Sequence, residues 1–226
     1  MPTALITGAA RGLGFDFTRQ FAAKGYKVLA CARKPDALTG IRGDIHHHSL
    51  DVTDYDAVEA LAKKLSGEAI DILICNAGLG GVGGSSAGTL GQIDAKTWRA
   101  IFEVNALAPV MMAQAFVEHV ARSQQKKMLA ISSRLGSITL NEGGRYAYRA
   151  SKSALNMEWK SLSIDTAARK LICVVLHPGW VQTDMGGPAA PLTIDQSVPA
   201  MVKVIDGLKP SDNGRFINYD GTEFPW

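Results

Sequence analysis

Several features that would narrow this chain's role at a glance are scarce in it. Cysteine is the first: only Cys31, Cys75 and Cys173 occur, an odd number set far apart. Each sits in a strand-like run, so they read as buried free thiols of a reducing compartment, not as a disulfide frame or metal ligands. Long apolar runs are missing too. The longest, such as 171–176, are strand-sized and fall well short of the ~18 residues of a spanning helix. The N-terminus lacks a basic stretch leading into an apolar one, the pattern of a secretory signal. Charge of either sign is in small excess: 24 Lys and Arg against 21 Asp and Glu leave +3, spread along the chain. That excludes the basic footprint of a nucleic-acid or anionic-membrane binder. A cytoplasmic protein fits, and 226 residues suffice for one domain, 1–226, with a substantial core.

What is present is a regular alternation. Apolar, β-prone runs recur at 3–7, 27–32, 45–50, 70–75, 127–132, 172–176 and 215–218. Between most of them lie segments of helical period at 12–24, 55–65, 95–123, 148–169 and 194–207. This order predicts an α/β chain with a parallel sheet covered on both faces. Asp54 and Asp94 are placed to cap helices, and Gly25 to end the first one. Two loops rich in glycine or proline, 78–91 and 185–192, follow strands at their carboxyl ends, where doubly wound sheets hold ligands. The run His46-His47-His48 invites a metal reading. Successive strand residues point to opposite faces and no carboxylate or thiol cluster joins them, so an exposed sheet edge is expected and no metal.

Two short patterns carry chemistry. The first strand runs into Gly8-Ala9-Ala10-Arg11-Gly12-Leu13-Gly14 and then a helix. Glycines let backbone approach a phosphate closely, and the helix behind them offers unpaired N–H groups to a pyrophosphate. The spacing is not the best-known G-x-G-x-x-G, yet its place in a βαβ opening points to cofactor binding. The second pattern is Tyr148-Arg149-Ala150-Ser151-Lys152. Residues four apart share one helix face, so an ammonium there favours the phenolate and makes the tyrosine a usable general acid near neutral pH. Tyr146 competes, but only Tyr148 stands one turn before a lysine.

Further pieces follow in order: Cys75-Asn76-Ala77-Gly78, Asn105 within the long helix, Ile131-Ser132-Ser133, and His177-Pro178-Gly179-Trp180-Val181-Gln182-Thr183-Asp184-Met185. With the glycine turn and the Tyr148–Lys152 pair, they resemble the short-chain dehydrogenase/reductase family over the length of the chain. That resemblance implies a single-domain Rossmann-type doubly wound sheet of about seven parallel strands with helices on both faces. It implies that Tyr148 protonates a carbonyl oxygen, that Ser133 hydrogen-bonds the same oxygen, and that Lys152 lowers the phenol's pKa and holds the nicotinamide ribose. Ser132 or Ser137 could take the place of Ser133. Asn105 would carry a water linking Lys152 to solvent, or merely bond nearby backbone and bend its helix. Cofactor contacts would come from Gly8, Arg11, Gly12, Leu13 and Gly14, from Asn76, Ala77 and Gly78, and from Pro178 and Gly179. Asp51 with Val52 would lie at the adenine, and Val181 with Thr183 would fix the carboxamide.

The second strand ends Ala30-Cys31-Ala32-Arg33-Lys34. NAD-preferring sites place an acid here for the ribose 2′-OH. Ala32 leaves that slot empty, and Arg33, helped by Arg11, can pair with a 2′-phosphate, so NADP(H) is expected. The wording of the motifs further resembles the sniffer/C-factor-like carbonyl reductases, implying NADPH-dependent reduction of aldehydes, ketones and quinones. Trp180, Tyr146 and Met185 would flank an open pocket for apolar or aromatic carbonyls. A nucleotide-sensing regulator with little turnover, or an alcohol dehydrogenase working oxidatively, are the other readings. A homodimer or homotetramer is implied by the family, with Met111, Met112, Phe116 and Trp159 either in a two-fold interface or facing the sheet.

Overall fold

A computed structural model describes residues 1–34, 38–80 and 88–226. Seven strands form one sheet: β1 (Thr3–Thr7), β2 (Lys27–Ala32), β3 (Ile45–Ser49), β4 (Ile72–Cys75), β5 (Lys127–Ile131), β6 (Ile172–His177) and β7 (Phe216–Asn218). Their order is β3-β2-β1-β4-β5-β6-β7, and every pairing is parallel. The helices are α1 (Gly12–Ala23), α2 (Tyr55–Lys64), α3 (Ala95–Phe102), α4 (Ala108–Ala121), α5 (Tyr146–Asp165) and α6 (Ile194–Gly207).

Strand residues alternate between two cores, as a pleat of period two requires. Ala4, Ile6, Val28, Ala30, Ile72, Ile74, Leu129 and Val174 face α1 and α6, meeting Phe17, Phe21, Met201 and Ile205. Leu5, Leu29, Cys31, Leu73, Cys75, Met128 and Val175 face α2, α4 and α5, meeting Val58, Met112, Phe116 and Trp159. Burial on both faces explains why these strands read as continuous apolar runs. β3 is the edge strand and carries the three histidines, of which His46 and His47 are exposed. All three cysteines are buried free thiols.

The expected caps are in place. Asp54 accepts from the Ala57 N–H at 3.0 Å and Asp94 from the Thr97 N–H at 2.6 Å. Gly25, at φ +79°, follows α1 in the left-handed conformation of a helix stop. Two expectations change. α5 starts at Tyr146, two residues before the expected 148, and ends at Asp165, with a separate 3-10 turn at Ala167–Arg169. The long helix is continuous over Ala95–Ala121, 27 residues, with a mean hydropathy of 1.5 in its most apolar 18-residue window. By length and composition it could cross a membrane, where the sequence promised no such segment. In this fold Met112, Ala113, Phe116 and Val120 bury against the sheet instead.

That helix carries a π turn, Glu103–Leu107, between α3 and α4. The Ala108 N–H reaches back to the Glu103 carbonyl, one residue further than an α-helix allows. Pro109 explains it: proline donates no N–H, and its ring would strike the Asn105 carbonyl four residues back in a regular α turn. The bulge widens that turn and swings Asn105 inward, where it is fully buried.

At the opposite end of the sheet from the loops, Lys127 is buried and sends Nζ to the α6 carbonyls of Ile205 (2.7 Å) and Asp206 (3.3 Å). Burial lowers its pKa, opposed in part by the charges of Asp206 and Asp71. Lys127→Met removes both charge-assisted bonds to those carbonyls, so stability should fall by about 2 kcal/mol. A urea titration would read this as an earlier midpoint at unchanged slope.

Candidate active site

β1 and β4 are neighbours, yet the chain leaves their carboxyl ends toward opposite halves of the sheet, and the site is built at that parting. Asn76, just after β4, donates Nδ2 to the carbonyls of Thr7 (3.0 Å) and Gly8 (3.3 Å). Thr7 Oγ1 in turn accepts the N–H groups of Asn76 (3.0 Å) and Ala77 (3.1 Å). Thr7 is not among the expected site residues, although it stands at the head of the glycine turn Gly8-x-x-x-Gly12-x-Gly14.

The glycines of the turn do different things. A Cβ on Gly14 would lie 2.2 Å from the Gly8 carbonyl oxygen and 2.5 Å from Asn76 Nδ2, so the turn closes only on glycine. Gly12, at φ +56°, is different: a Cβ there would meet nothing nearer than the Thr183 methyl at 3.8 Å. Bare backbone at Gly12 therefore serves no internal contact and leaves a gap facing the loop after β6. Leu13 packs into the core beneath. Arg11 is the residue before α1, and no side chain caps the first N–H groups of that helix. Its guanidinium pairs with Asp184, so this cation bridges the glycine turn to the β6 loop instead of standing free beside Arg33.

Arg33 follows β2 and is exposed, while Ala32 is buried. Among the described residues Arg33 has no ion pair. Asp51 is exposed and its Oδ1 accepts from Thr53 N–H (3.0 Å) and Oγ1 (2.8 Å). Those bonds, with the nearby Arg33 charge, hold its carboxyl below the usual value against some burial. Val52 packs on the second core cluster.

Beyond β5 the chain turns through Ser133, whose Oγ accepts the Leu135 N–H at 3.1 Å. The same hydroxyl is the hydrogen-bonding neighbour that pulls the Tyr148 phenol down. The rival serines are committed elsewhere: Ser132 donates to Asn156 Oδ1 at 2.6 Å and Ser137 to the Trp226 carbonyl at 3.3 Å. Tyr148 is 8% exposed, whereas Tyr146 is 39% exposed at the helix start. Lys152, one turn on, is buried, and its Nζ donates to the Ile131 carbonyl at 2.8 Å.

The electrostatics differ from the simple picture of a lysine lowering a tyrosine. Burial raises the Tyr148 pKa, opposed first by the Ser133 hydroxyl and then by the Arg145 charge. Burial also lowers Lys152 to about 8. Both groups are thus pushed toward their neutral forms, the usual effect of desolvation. Arg145 was not among the expected residues. It adopts φ 48°, ψ 41° just before α5, and its guanidinium lies 5.1 Å from the Tyr148 ring centroid.

Asn105 grips the loop after β4. Its Nδ2 donates to the Leu79 carbonyl (2.8 Å) and Ser151 Oγ (3.1 Å), while Oδ1 accepts the Leu79 N–H (2.7 Å). A Cβ on Gly78 would sit 3.5 Å from Asn105 Oδ1 and 3.9 Å from Lys152 Nζ, so the bare glycine leaves a small gap between them. Residues 81–87 of the 78–91 loop lie outside the described residues. The 185–192 loop is tied down: Gln182 N–H to Leu192 O (2.8 Å), Gln182 Nε2 to Ala190 O (2.9 Å), and Trp180 Nε1 to Gly186 O (2.8 Å). Val181 is buried, Thr183 Oγ1 accepts the Gly186 N–H, and Pro178 accepts from Ser197 Oγ at 2.6 Å. Gly179, at φ +84°, leaves room for Leu192 and Tyr219. Met185 Sδ lies 4.0 Å from the Tyr148 hydroxyl.

A family model described as short chain dehydrogenase matches residues 2–191. The chain belongs to the short-chain dehydrogenase family. As a member it is an oxidoreductase. Among its relatives, the C-signal protein of Myxococcus xanthus is 42% identical over 170 residues, covering 75% of this chain and all of that protein. The solved structure of the carbonyl reductase Sniffer of D. melanogaster is 32% identical, with a TM-score of 0.91 and full coverage of both chains. An NADPH-bound carbonyl reductase from chicken fatty liver is 31% identical, with a TM-score of 0.90, covering 100% of this chain and 99% of that one.

Proposed function

We propose that this short-chain dehydrogenase is a cytoplasmic, NADP(H)-dependent carbonyl reductase acting on small aldehydes, ketones and quinones. The observation that carries this reading is Lys152 one turn after Tyr148 on α5, its Nζ on the Ile131 carbonyl that ends β5, with Ser133 two residues beyond Ile131 and both rival serines engaged elsewhere. A carbonyl oxygen between Ser133 and Tyr148 receives a hydrogen bond from the first and a proton from the second. Protonated Lys152 stabilises the phenolate left behind, and its Nζ, now on the Ile131 carbonyl, would hold the nicotinamide ribose when the cofactor is bound. Asn105, with Oδ1 at the gap beside Gly78, passes a water toward Lys152 for proton resupply. Bound reduced nicotinamide supplies the hydride.

The residues present fit that cofactor. The gap over Gly12 and the uncapped start of α1 suit a pyrophosphate. Asn76, Ala77 and Gly78 line the nicotinamide side, while Val181 and Thr183 stand ready for the carboxamide. Arg33, with no acid at Ala32, suits a 2′-phosphate, in keeping with the NADPH bound to the chicken carbonyl reductase. Arg33→Ala removes charge-assisted bonds worth about 1.5–3 kcal/mol, so KM for NADPH should rise roughly tenfold to a hundredfold with little change for NADH. Steady-state kinetics with each cofactor would measure it.

The reading is tested by following reduced-cofactor absorbance with pure protein and a panel of quinones, aromatic aldehydes and ketones. Turnover with NADPH supports it. Tight NADPH binding without turnover of any member favours the second reading, a signalling protein like its C-signal relative. Met112, Phe116 and Trp159 face the sheet, so a homodimer or homotetramer built on the same two helices would use the apolar residues they leave exposed, such as Met157, Ile164 and Leu107.

A further inference from the structure

Arg145 is placed in a way that the reduction chemistry does not require. Two glycines with positive φ, Gly143 (78°) and Gly144 (63°), lead into it, yet Arg145 itself keeps the left-handed conformation at φ 48°. That conformation costs a side-chain-bearing residue on the order of 1–2 kcal/mol, which a third glycine would have avoided. The result is a guanidinium lying over the Tyr148 ring, 5.1 Å from its centroid, beside the proton that the substrate would receive.

Among the described residues no carboxylate pairs with Arg145, and its Nε is buried without a hydrogen-bond partner. The acid nearest in sequence, Glu142, directs Oε1 to Arg134 at 3.3 Å instead. Arg145 as a whole is only partly buried, and a guanidinium without a carboxylate partner keeps N–H donors for an incoming acceptor. An apolar group also stands at the phenol: Met185 Sδ lies 4.0 Å from the hydroxyl, and Met185 is 47% exposed.

Resting on the carbonyl-reductase reading, we infer that Arg145 is a specificity-determining residue that selects carbonyl compounds bearing a carboxylate on an apolar or aromatic frame. The carbonyl oxygen lies between Ser133 and Tyr148, the frame lies against Met185, and the carboxylate accepts from the Arg145 guanidinium. Arginine suits this role, since its planar fork meets a carboxylate with two parallel hydrogen bonds.

The test compares 4-formylbenzoate with its neutral amide, 4-formylbenzamide, as substrates for wild type, Arg145→Met and Arg145→Lys with NADPH. Wild type should prefer the carboxylate by tenfold or more in kcat/KM, expressed in KM, and the preference should shrink as salt is raised. Arg145→Met should bring the ratio near one, and Arg145→Lys should restore part of it. An equal kcat/KM for both substrates in wild type overturns the inference while leaving the reductase reading intact. So does a preference that survives in Arg145→Met, or a loss in that variant that is equal for both substrates, which would mean that Arg145 acts only on the phenol. Because the wild-type ratio and its salt dependence need no variant, a poorly folding Arg145→Met does not remove the test. Failure of wild type to reduce either aldehyde, or any neutral carbonyl, overturns both readings together.

Discussion

Tyr148→Phe should lower carbonyl reduction by about 10²–10⁴-fold, the range of a positioned general acid, equivalent to about 3–5 kcal/mol of barrier. The change removes one oxygen and leaves the ring, so α5 and the contact with Arg145 persist and NADPH binding should hardly move. Fluorescence titration of NADPH beside single-turnover reduction would separate the two. The pH dependence follows from the directions of the shifts. Burial raises Tyr148, so its phenol keeps its proton through the neutral range and adds no step there. Lys152, lowered to about 8, loses its charge as pH rises past that value. In the free enzyme kcat/KM for reduction should therefore be level below pH 8 and fall above it in one alkaline step. A profile that instead rises through this region would assign the protonated form of Lys152 no part in the reaction.

Gly14→Ala should be the most damaging change in the cofactor half of the site. Its methyl would stand 2.2 Å from the Gly8 carbonyl and 2.5 Å from Asn76 Nδ2, and the first neighbour is backbone. Either β1 and α1 separate, or Asn76 lets go of Thr7 and Gly8. Overpacking of this kind costs about 3 kcal/mol, with two hydrogen bonds at risk besides. Both stability and NADPH binding should collapse. Gly12→Ala is the control, because only the Thr183 methyl, at 3.8 Å, comes near. It should fold with a loss of about 1–2 kcal/mol from its left-handed backbone and still bind NADPH more than tenfold more weakly. Thermal melts with and without NADPH distinguish the two: Gly14→Ala shifts the melt without ligand, Gly12→Ala mainly the increment that ligand adds.

Much of this was legible in the residues because the deciding interactions are local. β1, β2 and α6 have the bounds that periodicity predicts, and Asp54, Asp94 and Gly25 mark ends through bonds spanning only a few residues. The order of the glycine turn, Asn76, Ser133, Tyr148 and Lys152 fixed which groups meet, since a parallel sheet brings strand ends together. What escaped depends on partners far apart in sequence. That Ser132 is spoken for rests on Asn156, and that Ser137 is spoken for rests on Trp226. Arg11 belongs to Asp184, across the mouth of the site, and not to the β2 end. Met112, Phe116 and Trp159 satisfy the same apolar pattern whether they meet a sheet or a second subunit, and only packing decides between them. The balance between Tyr148 and Lys152 also followed burial, which spacing alone does not report.

The π turn at Glu103–Leu107 has a further effect on how the long helix divides its labour. Ile101 and Met112 are eleven residues apart, and on an uninterrupted α-helix they would fall within about 20° of one line down the cylinder. The extra residue rotates the rear half against the front. Ile101 therefore joins Ala147, Leu79 and Trp98 in a small cluster of its own, while Met112 enters the main core against the sheet. One continuous rod thus works as a cam, its rear locked to the sheet and its front braced on the residues around Tyr148. A ligand settling on Leu79 would therefore press first on the front of the rod, which meets the main core only through the rear half and α5.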